Sequence, residues 1–198
     1  MTKKLASYTA IGLLISICAQ ADDSSAINLA GQQRMLSQRI VKSYCQIGLN
    51  ILPERSQNQL NQAIKTFDEN LKQLELVVKS PETKHSLAEL HQTWIPLRRS
   101  AEGAITPATA HTLDLQAEAV LRAADQLTAE LQDQATSPIS RWVNTSGRQR
   151  MLSQRLVKAY MLRQMEQDTA SKRQELESAA HEFSGALSRL KLRKENSA

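Results

Sequence analysis

One stretch of this 198-residue chain occurs twice, and the repetition constrains the fold more than any other feature. Residues 28–44 read NLAGQQRMLSQRIVKSY and residues 144–160 read NTSGRQRMLSQRLVKAY, so twelve of seventeen positions are identical. About one identity would arise by chance, so the stretch is an internal duplication. The same offset of 116 residues aligns Phe67 with Phe183, well beyond the motif. The duplicated unit spans residues 27–74 and 143–190.

Each copy of the motif has the period of a helix with two faces suited to burial. Gly31, Arg34 and Gln38 fall at i, i+3 and i+7, which places them on one helical face. The second copy repeats that face with Gly147, Arg150 and Gln154. The opposite face is apolar and consists of Leu29, Leu36 and Ile40. A glycine inside a helix costs roughly 1 kcal/mol relative to alanine. Its presence in both copies predicts a close approach to the helix backbone.

Both motif helices carry basic residues without acidic ones. No Asp or Glu occurs from residue 24 to 53 or from residue 134 to 165. Such helices are suited to meet an anion, or acids that another helix supplies. For the basic residues at the end of each motif, we favour a solvated face or pairing with acids of the following helix. These residues are Arg39, Lys42, Arg155 and Lys158. For Arg34 and Arg150, the residues alone support contact with an oxyanion and structural pairing equally. A guanidinium donates parallel hydrogen bonds to planar oxyanions, which makes both arginines ligand candidates.

A family resemblance sharpens this interpretation. The pattern I-N-x-A-G-x-x-R-M-x-S-x-R at residues 27–39 resembles the ligand box of the NarX-like nitrate sensors. The fuller form A-G-x-Q-R-M-L-S-Q-R resembles the PilJ-type domain, the N-terminal sensor domain of type IV pilus chemotaxis transducers. The resemblance covers both repeat units and leaves residues 81–137 without a signature. It implies a non-catalytic domain that binds a small oxyanion, with nitrate or nitrite as the first candidates. The ligand-binding candidates are Gly31, Arg34, Gln38, Gly147, Arg150 and Gln154.

The resemblance also implies partners. In the nitrate sensors, one motif per chain meets its twin across a dimer interface. Two motifs in one chain permit the same arrangement within a single molecule, whereas pairing with a second chain would give a homodimer with two sites. A membrane receptor or a histidine kinase is the implied signalling partner. A second hypothesis is a helical interaction module without a ligand, which docks on a membrane receptor or associates with itself.

The sequence predicts an all-α fold. Only seven residues are aromatic, and the composition favours packed helices over strands. We expect an antiparallel helical bundle of two duplicated hairpins, at about residues 24–80 and 138–195, joined by a helical connector. Phe67 and Phe183 should occupy equivalent core sites. The expected start signals for helices are Ser24 or Ser25, Thr106-Pro107 and Ser137-Pro138, and Pro96 is expected to kink the connector.

The first 21 residues resemble an export signal. Lys3 and Lys4 precede an apolar run from Ala10 to Cys18 and a small-x-small cleavage site that ends at Ala21. The run is too short for a membrane span, which needs about twenty residues. We therefore expect a periplasmic mature chain of residues 22–198 that forms one domain. A lipoprotein at Cys18 and an uncleaved anchor are the less favoured alternatives.

Composition argues against several other classes of function. The formal net charge of +5 falls to +3 without residues 1–21, which gives no argument for nucleic-acid binding. The four histidines lack metal-ligand spacing, and no nucleophile-base pair or cofactor motif occurs. We expect neither a metal site, nor a cofactor, nor catalysis. Cys45 would be the single cysteine of the mature chain, and we interpret it as a buried apolar residue rather than a reactive thiol.

Overall fold

The computed structural model describes the backbone of residues 3–167 and 169–191. Side-chain surroundings are described for residues 24–165 and 169–191. The helices are α1 (Lys3–Gly48), α2 (Pro53–Val77), α3 (Pro81–Ala101), α4 (Pro107–Gln134), α5 (Ser140–Leu162) and α6 (Ala170–Lys191), with a π-helical turn at Arg163–Gln167. The described residues form no strand, which confirms the all-α prediction. None of the described helices combines the length and the apolar content that a membrane span requires.

Two of the predicted helix starts are wrong. α1 begins at Lys3 rather than near Ser24, because the stretch around Ser24 contains no proline or glycine to interrupt a helix. α5 begins at Ser140, since the Ser137 hydroxyl accepts from the Ile139 N–H and holds a turn ahead of the helix. The side chains of the predicted export signal lie outside the described residues.

The start of α4 is confirmed. The Thr106 hydroxyl accepts the backbone N–H of Thr109 at 3.1 Å, and Pro107 is the first helical residue. The connector forms a helical hairpin of its own, because Ser80 and Ser86 at the start of α3 contact Gln134 and Glu130 at the end of α4. α3 continues as one helix through Pro96.

Successive helices run antiparallel, and α1 and α5 therefore run parallel. α1 is antiparallel to α4, because Arg34 contacts Asp125 while Tyr44, further along α1, contacts Ala104 just before α4. α5 is also antiparallel to α4, because Asn144 near its start contacts Gln132 and Lys158 near its end contacts Asp114. α1 lies at the centre and packs against α2, α4 and α5.

The core is centred on α1 and confirms the predicted burial of Leu29, Leu36 and Ile40. Leu36 and Leu152, which are equivalent in the two motifs, are both buried, as are Met35 and Met151. Phe67 of α2 is fully buried and stacks on Trp94 of α3, with ring centroids 3.8 Å apart. Burial of these large side chains along one face of each helix holds the bundle together.

The two hairpins repeat a hydrogen bond at the predicted equivalent phenylalanines. The Gln33 side chain donates to the Phe67 carbonyl at 3.0 Å, and the Gln149 side chain donates to the Phe183 carbonyl at 3.0 Å. Phe67 is fully buried, whereas Phe183 is partly buried and packs against the edge of the core. The hairpins are therefore related by an approximate two-fold axis, although the second hairpin is less deeply covered.

Candidate functional site

The glycine-arginine faces of the two motifs meet at the junction of α1 and α5. Arg34 Nη2 donates to Asn144 Oδ1 at 2.6 Å, and Arg150 Nη2 donates to Asn28 Oδ1 at 2.9 Å. Each arginine therefore reaches across to the asparagine that begins the other copy of the motif. The two contacts are reciprocal, as an approximate two-fold axis between parallel helices requires.

The two glycines leave room for the buried guanidinium. A Cβ atom on Gly31 would lie 3.1 Å from Arg34 Nη2, and one on Gly147 would lie 3.4 Å from the same atom. Arg34 thus lies against the backbone of both motif helices at once. A Cβ atom on Gly31 would be closer to the guanidinium than most real Cβ contacts are, whereas one on Gly147 would be at the limit of ordinary van der Waals contact. The contact therefore accounts for the glycine of the first copy.

The two candidate glutamines lie further along the same helices and do not join the arginines. Gln38 is fully buried, and its amide nitrogen donates to Ser37 Oγ at 3.3 Å. Gln154 is half-buried. The side-chain oxygens of both glutamines are buried without a hydrogen-bond partner among the described residues. No hydrogen bond in the described part of the chain joins either glutamine to Arg34 or Arg150.

The two arginines differ in their electrostatic surroundings. Arg34 is 1% exposed and forms an ion pair with Asp125 of α4 at 2.6 Å. Burial lowers the pKa of Arg34, Asp125 opposes that shift, and the charges of Arg148 and Arg150 add to it. Arg150 is exposed, and no carboxylate of the described residues pairs with it.

An open groove of about 540 Å³ lies beside Arg150. Its polar lining comprises Ser24, Ser25, Asn28, Ser146 and Arg150, and its apolar lining comprises Trp142 and Val143. The groove thus presents hydroxyls, an amide and a guanidinium next to the junction. A larger groove of about 730 Å³ between α2 and α3 is lined by none of the motif residues.

A cluster of six charged side chains joins α4, α5 and α6. Its members are Asp114 and Glu118 of α4, Arg155 and Lys158 of α5, and Lys172 and Glu175 of α6. The buried ammonium of Lys158 lies 2.7 to 2.9 Å from an oxygen of each of the three carboxylates. Burial lowers the pKa of Lys158, but the three carboxylates outweigh that effect and raise it above its ordinary value.

This cluster is an ion network rather than an open metal site. The carboxylates of Asp114, Glu118 and Glu175 approach within 4.8 Å of one another, as metal ligands would. The ammonium groups of Lys158 and Lys172 lie among them and already form close ion pairs with the oxygens. With three positive and three negative members, the cluster is formally neutral.

The basic residues at the end of each motif have different outcomes in the two copies. Arg155 and Lys158 pair with acids of α4 and α6, as one of the two sequence interpretations proposed. Arg39 and Lys42 have no carboxylate partner among the described residues, and Lys42 donates only to Gln59 Oε1 at 3.1 Å. The acids on α4 were not identified from the sequence, because they lie outside the repeat. The sequence feature that indicated acids from another helix was the absence of Asp and Glu from residues 24–53 and 134–165.

Cys45 lies beside the ion cluster and is buried. Burial raises the pKa of its thiol to about 12, with Asp114 raising it further and Lys158 opposing. The thiol therefore remains protonated at neutral pH and is a poor nucleophile. The interpretation of Cys45 as a buried apolar residue agrees with this environment.

Comparison with known proteins identifies the family. The family model PilJ, described as type IV pili methyl-accepting chemotaxis transducer N-term, matches residues 18–132 and 134–197. The first match extends through α3 and α4, although residues 81–137 carry no recognisable motif, and the second covers α5 and α6. No curated protein and no solved structure matches the chain. Because the matches cover most of the chain and each contains one copy of the motif, this chain belongs to the family of N-terminal domains of type IV pili methyl-accepting chemotaxis transducers.

Proposed function

We propose that this chain is a periplasmic, non-catalytic sensor domain that binds one small oxyanion at the junction of α1 and α5. Nitrate and nitrite are the first candidates. The observation that carries the proposal is the reciprocal pairing of Arg34 and Arg150 with Asn144 and Asn28. It brings two guanidinium groups from duplicated motifs to one place beside a polar groove. The family supports a sensory role, and the predicted export signal supports the location.

The charge at the junction favours a monovalent ligand. Arg34 and Arg150 contribute two positive charges, and Asp125 contributes one negative charge, which leaves one positive charge without a partner. Arg148 nearby is already paired with Glu182 at 2.7 Å. A monoanion would neutralise the remaining charge, whereas sulfate would add a second negative charge next to Asp125. Planar oxyanions also match the fork of the exposed Arg150 guanidinium.

Calorimetric titration tests the proposal directly. The chain that starts at Asp22 is titrated separately with nitrate, nitrite, sulfate and chloride. We expect one nitrate or nitrite per chain, with weaker binding of sulfate and chloride. Arg150→Ala should abolish binding, at a loss of about 2 to 4 kcal/mol, because a charged hydrogen-bond donor is removed. Arg34→Ala should do the same if both arginines serve one site.

Arg122→Ala provides a matched control, because this exposed arginine on α4 is removed with the same change in net charge. It should leave the affinity unchanged. If each single variant instead halves the stoichiometry and keeps the affinity, each motif pairs with that of a second chain in a homodimer. No heat with any anion, together with a helical circular dichroism spectrum, would reject the oxyanion site and favour the interaction module.

A further inference from the structure

Identical residues of the two motif helices are covered to different extents. Four residues of α1 at helical spacing are at most 1% exposed: Arg34, Ser37, Val41 and Tyr44. α4 and the residues before it cover this face, because Arg34 pairs with Asp125 and the Tyr44 hydroxyl donates to the Ala104 carbonyl. The same residue types recur on α5 as Arg150, Ser153, Val157 and Tyr160. There Val157 is 38% exposed and Tyr160 is 50% exposed.

The acids of α4 also serve only one of two equivalent basic pairs. One pair is Arg155 and Lys158 of α5: Glu118 contacts both, and Asp114 contacts Lys158. The equivalent residues on α1 are Arg39 and Lys42, which contact no carboxylate of the described residues. Burial lowers the pKa of both, and for Lys42 the neighbouring positive charges of Arg39 and Arg55 lower it further. This basic pair therefore stands in an environment that would favour an added negative charge.

The approximate two-fold axis places the less covered residues of α5 and the basic pair of α1 on the same side of the bundle. The axis relates the groove that holds α4 to a second groove. We define this second groove by Arg150, Val157 and Tyr160 of α5 with Arg39 and Lys42 of α1. All five have the same residue type as their repeat equivalents, of which Arg34, Arg155 and Lys158 pair with acids of α4. We propose that the second groove binds an acidic helix of a partner protein, which runs antiparallel to α1 and α5 as α4 does.

α4 defines the chemistry of this partner helix. Its carboxylates follow the spacing Asp114-x3-Glu118-x6-Asp125, and the buried residues between the last two are apolar. In the second groove, the first two acids would meet Arg39 and Lys42, and the third would meet Arg150. No other segment of this chain has acids at these spacings, and its own α4 is already in place. Because no second segment of the printed sequence carries this acid spacing, we assign the groove to a helix of a partner protein.

A helical peptide provides the probe. The peptide has the sequence of residues 107–134 and is held helical by lactam bridges. Its binding to the chain that starts at Asp22 is measured by fluorescence anisotropy. We expect saturable binding of one peptide per chain. Val157→Asp and Lys42→Glu should each weaken binding by roughly tenfold or more. A peptide with amides in place of the three acids should weaken to a similar extent.

Ile95→Asp is the matched control, because Ile95 on α3 is 57% exposed and lies outside the second groove. This variant should bind the peptide as the unmodified chain does. Absence of binding would overturn the proposal. Equal binding by the Val157→Asp and Ile95→Asp chains would also overturn it, because the peptide would then replace the resident α4 or bind elsewhere. Val157 and Lys42 lie outside the proposed oxyanion site, so nitrate binding by these two variants should be retained and separates the two proposals.

Discussion

Arg34 and Arg150 show how the surroundings of a residue decide its role. Both belong to the same motif, and both donate to an asparagine of the other copy. Asp125 compensates the charge of Arg34 inside the protein, whereas Arg150 faces the groove beside the junction. The side chain of Asp125 is itself 49% exposed, so the ion pair with Arg34 lies at the solvent-exposed edge of the site. A bound anion and Asp125 would therefore compete for positive charge at the junction.

Asp125→Asn tests this competition at the residue scale. The amide keeps an oxygen acceptor for Arg34 and removes only the negative charge. We expect the free energy of unfolding to fall by about 1 to 3 kcal/mol, because a buried guanidinium loses its counter-ion. Affinity for nitrate should rise, since the positive charge at the junction increases. Urea unfolding and calorimetric titration measure the two effects.

Asp133→Asn is the appropriate control, because Asp133 is an exposed acid on the same helix. A fall in stability together with unchanged or weaker nitrate binding would show that Asp125 does not compete with the anion.

At the scale of helices, the ion cluster fastens α4 and α6 to α5. Lys158 is 0% exposed and is surrounded by three carboxylates from two other helices. Removing one partner from such a buried network leaves charges uncompensated, which commonly costs about 3 to 5 kcal/mol. Lys158→Ala should therefore lower the free energy of unfolding by an amount in that range.

Lys42→Ala makes the corresponding change in the other copy of the motif. Lys42 is half-buried and contacts only Gln59 among the described residues, so the expected loss is below about 1 kcal/mol. Chemical denaturation of both variants measures the difference. Equal losses would mean that the cluster contributes no more than an ordinary surface lysine.

The same cluster predicts a dependence of stability on pH. Burial raises the pKa of Glu175, but Lys158 and Lys172 outweigh that effect and hold it at about 2, below its ordinary 4.5. Because the folded-state pKa is lowered, the contribution of ionised Glu175 to the free energy of unfolding is fully present above pH 4.5. This contribution should be lost as the pH falls towards 2. Urea unfolding across this range measures the loss.

Glu175→Gln reproduces the residue found at the equivalent position of the first repeat, Gln59. The variant should be less stable at neutral pH and should lose less stability between pH 4.5 and 2. An identical pH profile for both proteins would assign the acid sensitivity to other carboxylates.

For the whole molecule, the duplication predicted more of the architecture than of the site. The constant offset and the helical period were sufficient to predict two hairpins and the burial of the apolar face that contains Leu36. They permitted the glycine-arginine faces of the two copies to meet within one chain and left pairing with a second chain open. They could not predict that Asp125 covers Arg34 and leaves Arg150 open. Two identical helix faces have the same periodicity, and the connector that distinguishes them lies outside the repeat.

The parallel direction of α1 and α5 has a consequence for the connector between them. Helices joined by short connections reverse direction at every step, so two of them run parallel only when an odd number of helices intervenes. Three do so here: α2, α3 and α4. Gain or loss of a complete hairpin preserves this parity, whereas a single inserted helix would turn α5 over and carry Lys158 away from Asp114. This rule does not apply to two separate chains that bring their motifs together. When both copies belong to one polypeptide, the rule constrains the number of helices between them more than the length of the connection.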